Sequence, residues 1–99
     1  MSTFQFRPKA LKDLRKLLIY IAKDSPSAAE RMHDNILETC LLLTDNPLIA
    51  NELEGLSISG VRRLPVVNYP RYSIFYHLVD DKIEILRLGF DGRVWENAL

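Results

Sequence analysis

Residues 72–90 read YSIFYHLVDDKIEILRLGF, and this stretch decides the fold. Two runs rich in β-branched and aromatic residues flank the short polar segment Asp80-Asp81-Lys82, a pattern typical of a β-hairpin. We therefore predict one strand over residues 72–79 and a returning strand over residues 83–90.

The first of these strands has two different faces, because alternate residues of a strand point to opposite sides. One face carries Tyr72, Ile74, Tyr76 and Leu78. The other carries Ser73, Phe75, His77 and Val79. Both faces are too apolar for open water. We expect the first to cover the helices and the second to be an exposed apolar patch of the kind that marks a binding site, unless loops or the C-terminal tail cover it.

Further strands are predicted upstream. Residues 61–67 (VRRLPVV) form a strand at a sheet edge or a strand end, because Pro65 lacks the N–H that a ladder needs. Residues 48–60 are predicted as a loop. Near the N-terminus, residues 4–6 (FQF) alternate apolar and polar as a short strand does, and Pro8 ends it.

Between the predicted strands at residues 4–6 and 61–67, the spacing of the apolar residues predicts two amphipathic helices. The first presents Ala10, Leu11, Leu14, Leu17, Leu18 and Ile21. The second has Ser25 as N-cap and Pro26 as its first residue, and it ends at Asn46-Pro47. A break of about four residues favours an antiparallel hairpin. The predicted fold class is α+β: an N-terminal strand, an antiparallel two-helix hairpin, a three-stranded antiparallel sheet and a short C-terminal tail.

The composition is that of one small globular domain over residues 1–99. With 47% apolar and 26% charged residues, the chain is not expected to be disordered. Thirteen Lys/Arg balance thirteen Asp/Glu, which counts against binding nucleic acid mainly through phosphates. No apolar run approaches the ~20 residues of a membrane span, and the N-terminus lacks a secretory pattern, so we expect a cytoplasmic domain. Cys40 is the only cysteine, which excludes an internal disulfide.

The two predicted helices carry opposite charges. Residues 7–23 hold six cations and one anion, whereas residues 24–45 hold five anions and one cation. These charges either form solvated faces that help the hairpin to pair, or make the first helix a docking surface for an acidic partner.

No self-sufficient catalytic, phosphate-binding or metal motif occurs in the sequence, so no cofactor is expected. His33 and Cys40 lie seven residues apart without a third ligand, which indicates packing or surface roles. His77 is either a general base or a half-buried ring.

The arginines of the predicted sheet and tail are more informative. They are Arg62, Arg63, Arg71, Arg87 and Arg93. Aromatic residues accompany them in sequence, namely Tyr69, Tyr72, Phe90 and Trp95. Such groups can contact phosphates and stack on bases, or form ion pairs with a protein partner.

Five short stretches, taken in order, carry a family resemblance. They are residues 11–14 (LKDL), 20–29 (YIAKDSPSAA), 60–66 (GVRRLPV), 72–76 (YSIFY) and 83–88 (IEILRL). Together they resemble the RelE/ParE superfamily of type II toxins, and specifically its ParE branch. The resemblance implies a small toxin held inactive by a ParD-like antitoxin whose flexible segment wraps it. ParE toxins poison DNA gyrase, whereas RelE relatives cut messenger RNA in the ribosome.

The resemblance also bears on the choice between these activities. In the RelE branch an arginine commonly follows the tyrosine of the central strand, and here Ser73 stands there. Arg93 matches a second arginine, but the tail tyrosine used as acid or base is absent, and the indole of Trp95 does not titrate. The ParE branch usually carries a His-Gly-x-Arg-Asp-like stretch after the last strand. Residues 90–96 (FDGRVWE) match it at Arg93, Trp95 and Glu96 but lack its histidine, first glycine and aspartate.

The resulting expectation is a non-enzymatic toxin that inhibits DNA gyrase, a type II topoisomerase, by binding. Target contacts are assigned to Arg62, Arg63, Arg87, Arg93 and Trp95. Antitoxin contacts are assigned to Leu11, Leu14, Leu18, Phe75 and Ile85. The chain is expected to form a hetero-oligomer with its antitoxin, to meet DNA only through it, and to bind no membrane. The alternatives are a RelE-like ribosome-dependent mRNA endoribonuclease and a non-toxic relative that only binds its antitoxin.

Overall fold

The computed structural model describes residues 3–90. Its elements are β1 (Thr3–Phe6), α1 (Pro8–Asp24), α2 (Pro26–Asp45), β2 (Arg62–Val66), β3 (Tyr69–Val79) and β4 (Lys82–Phe90). The predicted α+β class and the order of its elements are confirmed; the tail predicted after residue 90 lies outside the described residues. Neither helix is long and apolar enough to cross a membrane.

The sheet has four strands in the order β1-β4-β3-β2. β3 pairs antiparallel with both β2 and β4, as predicted. However, β1 also joins the sheet and runs parallel to β4, with Thr3 opposite Lys82 and Phe6 opposite Ile85. The sheet is therefore mixed rather than a three-stranded antiparallel sheet. The alternation of residues 4–6 predicts a strand but not its partner, and the helical hairpin supplies the crossover that a parallel pair requires.

Both helices begin at a proline, where the missing N–H costs no helical hydrogen bond. The Ser25 hydroxyl accepts a hydrogen bond from the Ala28 N–H at 3.2 Å, which confirms it as the N-cap of α2. Only one residue, Ser25, separates the two helices, whereas the sequence predicts a break of about four residues. Leu18 lines one groove with Ala29, and Leu14 lines another with Ile36, so the hairpin is antiparallel as predicted.

The main core lies between the hairpin and one face of the sheet. The sheet contributes Ile74, Tyr76, Ile83, Ile85 and Leu88, and the helices contribute Ala10, Met32, Ile36, Cys40 and Leu43. Polar contacts also tie α2 to the β2–β3 turn. The Thr39 hydroxyl accepts from the Val67 N–H at 3.0 Å, and the Asn68 amide donates to the Asn35 side-chain oxygen at 2.8 Å.

The opposite face of the sheet is not the exposed patch that was expected at Phe75. Phe75 is 1% exposed and packs with Val61 and Leu86 in a second small core. Three residues of the preceding loop cover this core, namely Leu53, Leu56 and Ile58. The loop is held down by a hydrogen bond from the Leu53 N–H to the Val61 carbonyl at 2.7 Å. The alternative, in which a loop covers this face, is confirmed at Phe75.

Candidate functional site

Asp13 and Arg87 join α1 to the sheet. β1 pairs with Lys82–Ile85, and within residues 3–90 no strand lies beside the rest of β4 on that side. Asp13 occupies this edge: its carboxylate accepts from Arg87 Nε at 2.7 Å, from Arg87 Nη2 at 2.9 Å and from the Leu88 N–H at 3.1 Å. The Asp13 hydrogen bonds raise the pKa of the Arg87 guanidinium. Arg87, predicted as a target contact, therefore has a structural partner.

Arg62 and Arg63 are neighbours on β2 and so point to opposite faces of the sheet. Arg62 donates to the Ala50 carbonyl and helps to hold the loop that follows α2. Arg63 lies opposite Phe75 in the ladder, and Phe75 in turn lies opposite Arg87 on β4. The structure thus places Arg63 and Arg87 on one row across the sheet and separates Arg62 from them.

A cation–aromatic cluster forms at the end of β4. The Arg71 guanidinium carbon lies 5.0 Å from the centroid of the Phe90 ring, within cation–π range. The rings of Tyr72 and Phe90 have centroids 4.9 Å apart. The predicted target contacts Arg93 and Trp95 lie outside the described residues, a few positions after Phe90 in sequence. The sequence pattern includes Arg71 and Phe90 but does not predict them as target contacts, because the contact between them depends on the β3–β4 register.

A second polar cluster joins His77, Glu84 and Arg7. His77 Nε2 lies 2.7 Å from one Glu84 carboxylate oxygen, and Arg7 Nη1 donates to the other at 3.4 Å. The hydrogen bond with His77, more than the one from Arg7, lowers the pKa of Glu84. Beside this cluster is a cleft of about 210 Å³, lined by Arg7, Pro8, Lys9, Ile58, His77 and Leu86. His77 is half-buried, as one of the two interpretations expected, and its carboxylate partner was not predicted.

The residues assigned to antitoxin contact fall into two groups. Leu11 is 39% exposed, and Leu14 and Leu18 are half-buried. Leu18 and Leu14 line two adjoining cavities between α1 and α2 that share His33, and we call the two together the hairpin groove. The wider cavity is lined by Leu18, Ala29, Glu30, His33 and Asp34, and the narrower one by Phe6, Leu14, His33, Ile36 and Leu37. Phe75 and Ile85 are buried, at 1% and 0% exposure. The loop covers Phe75, and Ile85 faces the helices in the main core. Neither of these two side chains offers a partner any surface in this conformation.

The remaining candidates have packing or surface positions. Cys40 is fully buried, and burial raises the pKa of its thiol to about 12. His33 is exposed and contacts Asp34 at 3.3 Å. Among residues 3–90, no group of three or more His, Cys, Asp or Glu side chains is arranged to hold a metal ion.

The fold defines the structural class of the protein. The chain is similar to a chain of the chromosomal ParDE toxin–antitoxin system from P. aeruginosa, with a TM-score of 0.72, 22% identity, and coverage of 91% of this chain and 96% of that one. It is also similar to a chain of the RelBE2 toxin–antitoxin complex from Mycobacterium tuberculosis (TM-score 0.63, 22% identity, 90% and 96% covered). YafQ from E. coli strain BL21(DE3) has the same fold (TM-score 0.61, 21% identity, 91% and 93% covered).

The family follows from a match that spans most of the chain. The family model of the ParE toxin of type II toxin–antitoxin systems matches residues 4–95. The chain belongs to this family, so it is a toxin component of the RelE/ParE fold, as the sequence resemblance implied. A search of curated proteins found no match.

Proposed function

We propose that this toxin acts by binding DNA gyrase and inhibiting it, and that a ParD-like antitoxin neutralises it. Membership of the ParE family supports gyrase as the target, because the ParE branch is the one that poisons this topoisomerase. The match includes Arg93 and Trp95, the two tail residues that we assign to target contact.

One observation favours binding over catalysis. Cleavage of RNA needs cationic groups placed to stabilise the phosphate transition state. At the position where RelE relatives carry an arginine, this chain has Ser73, which is 1% exposed. Arg87 is held by the Asp13 carboxylate. Two of the positions from which the sheet could supply such a charge are thus occupied by a buried hydroxyl and an ion-paired guanidinium.

The geometry also refines the target surface. Arg62 and Arg87 bind other parts of the fold, so we propose that they stabilise the surface rather than contact the target directly. Arg71 and Phe90 form an exposed cation–aromatic pair at the end of β4, directly before the tail. We propose that this pair continues the contact surface of Arg63, Arg93 and Trp95. Arginine and aromatic side chains are enriched among the residues that dominate protein–protein binding energy.

The antitoxin is proposed to occupy the hairpin groove. Leu14, Leu18 and Ala29 supply its apolar wall, and the groove reaches a volume of about 550 Å³ at its wider end. Two of the similar structures come from toxin–antitoxin systems, ParDE and RelBE2, which supports an antitoxin as the partner.

Pulse labelling after induction of the toxin alone tests the proposed activity. DNA synthesis should stop first while protein synthesis continues, and Arg93→Ala and Trp95→Ala should relieve the arrest. Lys82→Ala, at the exposed first position of β4, is the matched control and should remain toxic. If the two tail variants arrest growth as strongly as the wild type, the assignment of Arg93 and Trp95 to target contact is wrong.

A ribosome-dependent ribonuclease is the second candidate, and the His77–Glu84 pair is the observation that favours it. A histidine hydrogen-bonded to a carboxylate beside Arg7 and Lys9 has groups that can move a proton and bind a phosphate. Under this alternative, protein synthesis collapses within minutes, transcripts are cut at defined sites, and His77→Ala abolishes both effects. Under the gyrase proposal, His77→Ala remains toxic at equal protein level.

A further inference from the structure

The outward surface of the helical hairpin carries two parallel stripes of opposite charge. From α1 it exposes Lys12, Arg15, Lys16 and Lys23. From α2 it exposes Glu30, Asp34, Glu38 and Asp45. The core-facing residues of both helices lie on the opposite sides, against the sheet. We call this charged surface the outer hairpin face. It shares Glu30, Asp34 and Leu37 with the hairpin groove, so a second copy of the chain and the antitoxin would compete for it.

The two stripes do not neutralise each other within the chain. In residues 3–90, Asp13 of α1 pairs with Arg87 of the sheet, and Asp34 of α2 contacts His33 of its own helix. None of the four cations of the outer hairpin face forms an ion pair with an anion of α2. These charged side chains are therefore solvated in the described residues, and both stripes are accessible to a partner of complementary charge, which is the alternative interpretation.

Apolar side chains lie among these charges. On α2, Leu37 is 42% and Leu41 is 52% exposed. On α1, Leu11 is 39% and Ile19 is 62% exposed. Burial of such side chains supplies the affinity that exposed ion pairs, at about 0–1 kcal/mol each, do not.

We propose that the outer hairpin face binds a second copy of this chain and forms a two-fold symmetric four-helix contact. The charge pattern selects the symmetry axis. An axis parallel to the helices places α1 of each copy over α2 of the other, so each cationic stripe meets an anionic one, twice. An axis across the helices would stack α1 on α1 and α2 on α2, which brings like charges together. The surface is thus complementary to itself, as a two-fold interface must be.

The symmetry also fixes which residues meet. A pure rotation about an axis parallel to the helices allows no sliding, so residues that are level within one hairpin face each other across the interface. Leu14 is level with His33 and Ile36, and Leu18 with Ala29 and His33. By the same spacing, Lys16 of one copy faces Asp34 of the other, and Lys12 faces Glu38.

The size of the face predicts a weak dimer. A 17-residue helix is about 25 Å long, and two adjacent helices are about 20 Å wide, so the contact buries about 1,000 Å² in total. This area is at the lower end of specific interfaces. Association should therefore depend on concentration and weaken with salt, because exposed charges are screened.

Sedimentation velocity on chains made by cell-free synthesis tests the proposal without any antitoxin or gyrase, so its result is independent of the proposed function. The wild type should shift from 11.4 kDa towards twice that mass as concentration rises in low salt. The K12E/K16E and D34K/E38K variants should each remain monomeric. An equal mixture of the two should dimerise again, because each reversed helix then meets a partner of opposite charge. Lys82→Glu, at the exposed first position of β4, is the control and should associate as the wild type does.

Circular dichroism on each variant separates a lost contact from a lost fold, and recovery in the mixture requires that both variants fold. A wild type that stays monomeric at every concentration overturns the proposal. The proposal is also overturned if the two folded variants remain monomeric both separately and when they are mixed. Folded variants that still dimerise but no longer bind the antitoxin would show that these charges contact the antitoxin, and that result would overturn the dimer proposal as well.

Discussion

At the scale of single residues, the carboxylate of Asp13 links parts of the chain that are far apart in sequence. It accepts two hydrogen bonds from the Arg87 side chain and one from the Leu88 N–H, across more than seventy positions. The last of these satisfies a backbone donor on the edge of β4 beyond the end of β1. A strand edge left without partners is costly when it is covered by a helix, which explains the single acid within the otherwise cationic residues 7–23.

Replacement of Asp13 by Asn should lower the free energy of unfolding by about 1–3 kcal/mol, because it weakens a charge-assisted contact that is largely shielded from water. Urea denaturation measures this change. In a double-mutant cycle with Arg87→Met, the two effects should be clearly less than additive. Additive effects would mean that the pair does not act as a unit.

Glu84 should give stability a dependence on acid pH. Its pKa is lowered in the folded protein by hydrogen bonds with His77 and Arg7, so its contribution is present above the ordinary glutamate value of about 4.3. That contribution is lost as the pH falls through the lower, folded value. The difference between thermal melts of the wild type and of Glu84→Gln should therefore shrink as the pH falls below about 4.3. Glu54→Gln, on the exposed loop, is the control, and an equal gap at all pH values would contradict the assignment.

At the scale of elements, local chemistry predicts where the helices and strands begin and end. Ser25-Pro26 starts α2, Pro47 follows its end, and Pro65 lies on an edge strand, each through an effect confined to neighbouring residues. Partner choice is different. The alternation at residues 4–6 does not encode parallel pairing with β4, which depends on how the hairpin packs.

The same limit applies to the candidate site. Leu53, Leu56 and Ile58 have no strand or helix period, so nothing in their pattern indicates that they cover Phe75. The contact of Asp13 with Arg87 likewise needs the docked helix. The sequence could therefore identify the arginines as a group, but only the folded chain separates those that hold the fold from those at the end of β4.

The link between α2 and the β2–β3 turn is testable with an isosteric change. Thr39→Val keeps the shape of the fully buried side chain but removes the oxygen that accepts from the Val67 N–H. We expect a loss of about 1–3 kcal/mol in the free energy of unfolding. Thr44→Val is the matched control, since its hydroxyl donates only to Leu41 of its own helix and should cost much less. Equal effects would show that Thr39 does not tie the two elements together.

At the scale of the whole molecule, a small core is divided into two parts, one under the hairpin and one under the loop. A chain of about 100 residues buries only about two-thirds of the surface that its unfolded form exposes, so binding of a partner would add usefully to its stability. The two proposed protein surfaces use different parts of the molecule. In our proposal the antitoxin would occupy the hairpin groove, whereas gyrase would contact the end of β4 and the residues that follow it.

The antitoxin should therefore raise the melting temperature of the toxin by mass action. Leu14→Glu and Leu18→Glu place charge in the groove and should reduce this shift strongly, whereas Glu54→Gln should leave it unchanged. Differential scanning fluorimetry with increasing antitoxin measures the effect. A full shift with both groove variants would place the antitoxin elsewhere.

The most direct test of the central claim is a supercoiling assay with purified gyrase, relaxed plasmid and increasing amounts of this toxin. Supercoiling should fall as toxin is added, Arg93→Ala and Trp95→Ala should restore it, and His77→Ala should inhibit as the wild type does. Gyrase that remains fully active at a large excess of folded toxin, while the same preparation cuts messenger RNA on ribosomes, would contradict the account and make His77 and Glu84 the site to pursue.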